Sequence, residues 1–220
     1  MPYNFYEQKD YIFNFDSLFD ELLKLYPLNY FTDFFSRWHL ILNHFNNLPI
    51  NKNTRLQFGN TRFIYDINLF GQNYHLFFNI SHILSVVDLK KYYLAPLSDF
   101  GVDADLENII YSPTKDYSLG HITTTKPIIV VPLNLGKNAH YITIEGNHRI
   151  TAKKQHEISS IAIYEYTPNK RTDFLSDIDY AFYLFYNELF NLYSLFNTQS
   201  PDITTFIMNS HSNTTFRLIK

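Results

Sequence analysis

Between Pro127 and Pro132 the chain reads Ile128-Ile129-Val130-Val131, four β-branched residues with no polar position among them. Branching at Cβ favours extended backbone, and a run that does not alternate has no face to give to water. The segment therefore predicts a buried strand, extending over Lys126 to Leu133, rather than a helix. Such a strand needs paired neighbours and a covering layer, and the rest of the chain is read for both.

The neighbours follow directly. After a turn containing Gly136, the residues His140 to Glu145 predict a second strand. Gly146-Asn147-His148-Arg149 then forms a turn into a helix ending near Glu157, and Ser159 to Tyr166 predicts a third strand. Upstream, Asp16 to Tyr26 carries apolar residues at helical spacing and stops near Pro27. Thr32 is placed to cap a second helix through Phe45. Short aromatic and β-branched runs at Leu56 to Phe58, Arg62 to Asn68 and Tyr74 to Ile80 predict an antiparallel meander, with Phe70-Gly71-Gln72-Asn73 as a turn. Helices are expected over Ser81 to Tyr93 and Asp103 to Ile110. A final helix is expected from Asp173 to about Phe196, followed by an irregular polar tail.

The expected fold class is α+β, in three parts. Residues 1–95 form a helical and β-meander region, 96–168 the domain built on the buried strand, and 169–220 a C-terminal helix and tail, with the first two parts free to share one core. The 21 Phe, 18 Tyr and single Trp supply ample core for 220 residues. The aromatic stripe of the first two helices, Trp38 included, is read as core, with a protein partner bound through this N-terminal region as the alternative.

Charge and cysteine content remove several function classes. Lys and Arg total 18 against 21 Asp and Glu, a net charge of −3, and no basic run exceeds two residues. Nucleic acid is thus not an expected partner. The absence of cysteine excludes disulfides, thiolate metal sites and thiol nucleophiles, and it suits a cytoplasmic location. No apolar run approaches the roughly 20 residues of a membrane-spanning helix, so no membrane role is expected. The histidines show no zinc-ligand spacing, and the acidic group around Gly101 (Asp99, Asp103, Asp105, Glu107) does not match a calcium loop.

Chemistry concentrates at the strand-to-helix turn. A helix that starts immediately after a strand presents backbone N–H groups with no intrahelical partner and the positive end of its dipole, which suits a phosphate. Gly146 permits close approach to the main chain. Arg149 is expected to contribute an exposed planar fork whose removal would spare the fold, and His148 contributes a further donor. Glu145, just before the glycine, has the chemistry of a Mg²⁺ ligand or a proton acceptor. Thr125 and Lys126 on the facing turn are candidates for the outer phosphates.

The stretch from about residue 120 to 166 resembles the ParB/sulfiredoxin superfamily, whose Gly-x-x-Arg turn binds nucleotide phosphates. Gly146-Asn147-His148-Arg149 corresponds to that turn, while Gly120 and Lys126 to Val130 correspond to its glycine-to-proline turn and entering strand. Glu145 to Arg149 is most similar to the acid-Gly-x-His-Arg motif of the free serine kinase branch. The resemblance implies a ParB/sulfiredoxin-like core that binds a nucleoside triphosphate, ATP or CTP, with Mg²⁺. Gly146, Asn147, His148 and Arg149 would hold phosphates, with Thr125 and Lys126 assisting. Glu145 and His148 would be catalytic in phosphoryl transfer or hydrolysis, and Glu145 would also be the metal ligand. Sulfiredoxin chemistry is excluded by the lack of cysteine. The alternatives are a non-catalytic nucleotide-sensing or protein-interaction module and, against the charge balance, a ParB-like nuclease or DNA-binding protein.

Overall fold

The computed structural model describes residues 15–47, 62–115, 122–167 and 177–219. The expected strand over Leu56 to Phe58, the turn residue Gly120 and the start of the last helix at Asp173 lie outside them.

Helices α1 (Phe15–Leu25) and α2 (Asn29–Asn47) open the described chain. Phe15, Leu18, Phe19 and Leu22 of α1 recur at three- and four-residue spacing and are all buried, as are Phe31, Phe34, Phe35, Trp38, Ile41, Leu42 and Phe45 of α2. The second helix begins one turn before the expected cap. The amides of Phe31 and Thr32 already bond to Leu28 O, so Thr32 lies inside the first turn.

Strands β1 (Arg62–Leu69) and β2 (Gln72–Asn79) pair antiparallel around Phe70-Gly71. Both turn residues have positive φ, +51° and +78°, the type I′ geometry whose twist matches the two strands. Asn79 then caps helix α3 (Ile80–Val86) by accepting the His82 amide at 3.0 Å. This helix does not continue to Tyr93. Val87 is extended, and the chain enters strand β3 (Tyr93–Pro96).

The expected helix over Asp103 to Ile110 is also absent. Strand β4 (Phe100–Gly101) leads into one turn, in which the amides of Leu106 and Glu107 bond to Asp103 O. Ile109 and Ile110 are then drawn into the sheet as β5. Next come β6 (Ile128–Pro132), β7 (Tyr141–Glu145), helix α4 (Asn147–Gln155) and β8 (Ser160–Glu165), in the order expected from the sequence. After α5 (Asp177–Asn197) the tail is helical rather than irregular, forming α6 (Ile203–Asn209) and α7 (His211–Ile219).

The fold is therefore α+β, with a six-stranded mixed sheet in the order β3-β8-β6-β7-β5-β4 beside the separate β1-β2 hairpin. Strand β6 occupies the interior of the sheet, antiparallel to β7 and parallel to β8. Ile129 and Val131 enter one apolar cluster with α1, α2, α5 and the hairpin, while Ile128 and Val130 enter a second with Ile150 of α4. All four are fully buried, which explains the unbroken β-branched run.

The N- and C-terminal helices thus share one core with the sheet. Tyr74 stacks on Phe182 at 5.0 Å between centroids, and Phe19 and Trp38 meet Phe185 at 5.3 and 5.7 Å. The aromatic stripe that suggested a partner groove is interior: Phe31, Phe34, Phe35 and Trp38 are no more than 1% exposed. No helix among the described residues is long and apolar enough to cross a membrane.

Candidate functional site

Strand β7 delivers Glu145 to the sheet edge of the turn, and Gly146 reverses the chain into α4. Gly146 has φ +103°, and a Cβ there would lie 2.3 Å from Ile128 Cγ2. Only glycine meets both conditions. It also begins the helix, since the amides of Arg149 and Ile150 both bond to Gly146 O, at 2.9 and 3.1 Å. The amides of Asn147 and His148 precede that first intrahelical bond and sit at the positive end of the dipole.

Arg149 is not the exposed fork expected from the sequence. It is 5% exposed, and its Nη1 donates to the carbonyls of Lys126 and Pro127, the latter at 2.9 Å, while Nη2 pairs with Glu145 Oε2. One guanidinium thus fastens the strand end before the turn, the helix after it and the segment entering β6. Burial pulls its proton affinity below the ordinary arginine value, with the Glu145 carboxylate opposing.

Asn147 likewise faces its own scaffold. Its Nδ2 donates to Thr143 O, and its Oδ1 accepts the Ser112 amide at 2.8 Å. Thr151 Oγ1 accepts the Thr114 amide at 3.2 Å, so the segment after β5 is tied to α4 at two points. His148, Thr125 and Lys126 are exposed. The Lys126 amide bonds to Thr124 Oγ1 at 3.3 Å, and its carbonyl is held by Arg149, which keeps this facing turn against the helix start.

The arrangement separates the predicted residues into two groups. Gly146, Asn147, Arg149 and Glu145 are brought together as a bonded junction. His148, Thr125 and Lys126 remain on the surface. The expected magnesium ligand Glu145 is engaged by Arg149, and the described residues contain no group of three or more potential metal ligands.

A second constellation escaped sequence reasoning. Glu188 of α5 is 6% exposed. Its Oε2 accepts the Trp38 indole N–H at 2.9 Å, and its Oε1 accepts from the His211 main-chain amide and lies 2.9 Å from His211 Nδ1. That hydrogen bond raises the proton affinity of His211 above its ordinary value, with burial opposing. The partners come from three helices, and no local spacing announces them. The sequence matches no protein-family model, no curated protein and no solved structure.

Proposed function

We propose that the protein is a non-catalytic module that binds the phosphates of a nucleotide at the turn between β7 and α4. The observation carrying this reading is the helix start at Gly146. Its first two amides precede any intrahelical bond, and exposed His148, Lys126 and Thr125 surround it. The likeness of Glu145 to Arg149 to the ParB/sulfiredoxin motif supports the same ligand class. Arg149 acts as a positioning residue that holds the Lys126 turn in place, while Lys126 and His148 meet the phosphates. The binding reading is favoured over phosphoryl transfer because Glu145 is paired with Arg149, so a role as proton acceptor would require breaking a part-buried ion pair.

Calorimetric titration with ATP, CTP, GTP and ADP, with and without Mg²⁺, tests it. Binding of at least one nucleotide, weakened about tenfold or more in Lys126→Ala and His148→Ala with unchanged melting behaviour, is the expected result. Absence of binding, or affinity unchanged in both variants, would overturn the site. Turnover of the bound nucleotide would overturn its non-catalytic character.

A further inference from the structure

Away from that turn, a cleft of about 600 Å³ opens between α5, the end of β6 and the junction of α6 with α7. Its volume lies within the range of small-molecule sites. The chemistry of its wall is narrow. Among the described residues no Lys, Arg or Asp lines it, and their one carboxylate, Glu188, is already paired with Trp38 and His211. These described residues offer a phosphate or carboxylate ligand no uncompensated positive charge, so they suit an uncharged molecule.

Four side-chain amides supply the polar contacts: Asn134 beyond β6, Asn187 and Asn191 one turn apart on α5, and Asn209 at the end of α6. Three of them are oriented before any ligand arrives. The main-chain N–H of Asn134 donates to Asn187 Oδ1 at 3.1 Å, and Asn134 Nδ2 donates to Asn191 Oδ1 at 3.1 Å. A carboxamide offers donors and an acceptor side by side, as a hydroxyl does, and a row of them matches adjacent hydroxyls. Tyr180 and Phe206 add aromatic surface for the C–H face of such a molecule. His211, also on the wall, is oriented through Nδ1 by Glu188.

From the amide-lined, charge-compensated wall of this cleft, we infer that it binds a neutral polyhydroxylated molecule of monosaccharide size. Glu188 and His211 hold the wall in place, and the asparagines provide recognition. The site is independent of the nucleotide turn.

Saturation-transfer NMR on the full chain with D-glucose, D-galactose, D-ribose and myo-inositol tests the inference, with inorganic phosphate and adenosine as controls. At least one of the polyols should bind with a Kd of about 10 mM or tighter. Asn191→Leu and Asn209→Leu, both at exposed positions, should each weaken it about tenfold or more without lowering the melting temperature, and phosphate should not compete. No binding of any of the four polyols, binding unaffected by both substitutions, or preferential binding of phosphate or adenosine in the cleft would each overturn it. If Asn191→Leu unfolds the protein, Asn209→Leu decides, because Asn209 is exposed at the end of the short α6.

Discussion

Trp38 donates its indole N–H to Glu188 Oε2 at 2.9 Å, joining two buried side chains 150 positions apart. The same carboxylate holds the start of α7 through the His211 amide, so one group fastens three helices. An ionised carboxylate is stable in such surroundings only because each oxygen accepts hydrogen bonds.

Replacing Glu188 with alanine removes the acceptor and leaves the indole and amide donors unpaired in the interior. The expected loss is about 2–4 kcal/mol of folding stability, read as a shift in the urea midpoint at unchanged slope. A loss below about 0.5 kcal/mol would mean that water serves these donors equally well and that the carboxylate is no staple.

Arg149→Ala should also be costly, because it strands the Glu145 charge and two carbonyls. We expect about 3–5 kcal/mol, with little rescue by Arg149→Lys, whose single ammonium does not reproduce the planar fork. Thermal melts of the two variants separate this from a purely ligand-binding role, in which both would melt like the wild type.

At the hairpin, Phe70 holds φ +51°, a conformation unfavourable for a bulky side chain, and it is 45% exposed. Phe70→Asn produces the Asn-Gly pair that type I′ turns prefer and should raise stability by about 0.5–1 kcal/mol. An unchanged or lower melting temperature would show that the ring makes a compensating contact.

Glu188 raises the proton affinity of His211 in the folded state. The stabilisation from the charged imidazole is complete below the unfolded-state value of about 6.5 and is lost as the pH rises through the higher folded-state value. The wild type should therefore exceed His211→Ala in urea midpoint by more at about pH 6 than at about pH 9. Equal differences at the two pH values would count against the coupling.

Residues whose burial repeats along one element were legible in the sequence, and residues decided by distant partners were not. Leu18, Phe19 and Leu22 announce α1, and Ile128 to Val131 announce the interior strand, because period and branching are local properties. Over Asp103 to Ile110 the chain makes a single turn and no helix. Ile109 and Ile110 gain more from pairing with Tyr141 and Ile142 than from continuing the coil. Tyr93 was lost to β8 in the same way.

At the turn, Gly146 was legible because a strand runs straight into a helix. The fate of Arg149 was not, since its acceptors at Lys126 and Pro127 lie on the segment entering another strand. The four-residue interval from Glu145 to Arg149 was a usable sign of pairing, here spanning a strand-helix junction rather than a helix face. Glu188 and His211 gave no sign at all. Their significance depends on Trp38, which only the assembled helices bring near.

Strand β8 lies between β3 and β6, although it is made after both. On the ribosome, a nascent chain arrested before Ser160 presents an apolar β6 with one edge open and a β3 without its antiparallel partner. Such edges recruit other chains. The sheet can close only late in synthesis. Truncated products should therefore precipitate or be degraded rather than accumulate as partial domains, and pulse proteolysis of chains arrested on either side of β8 would show protection only in the longer ones.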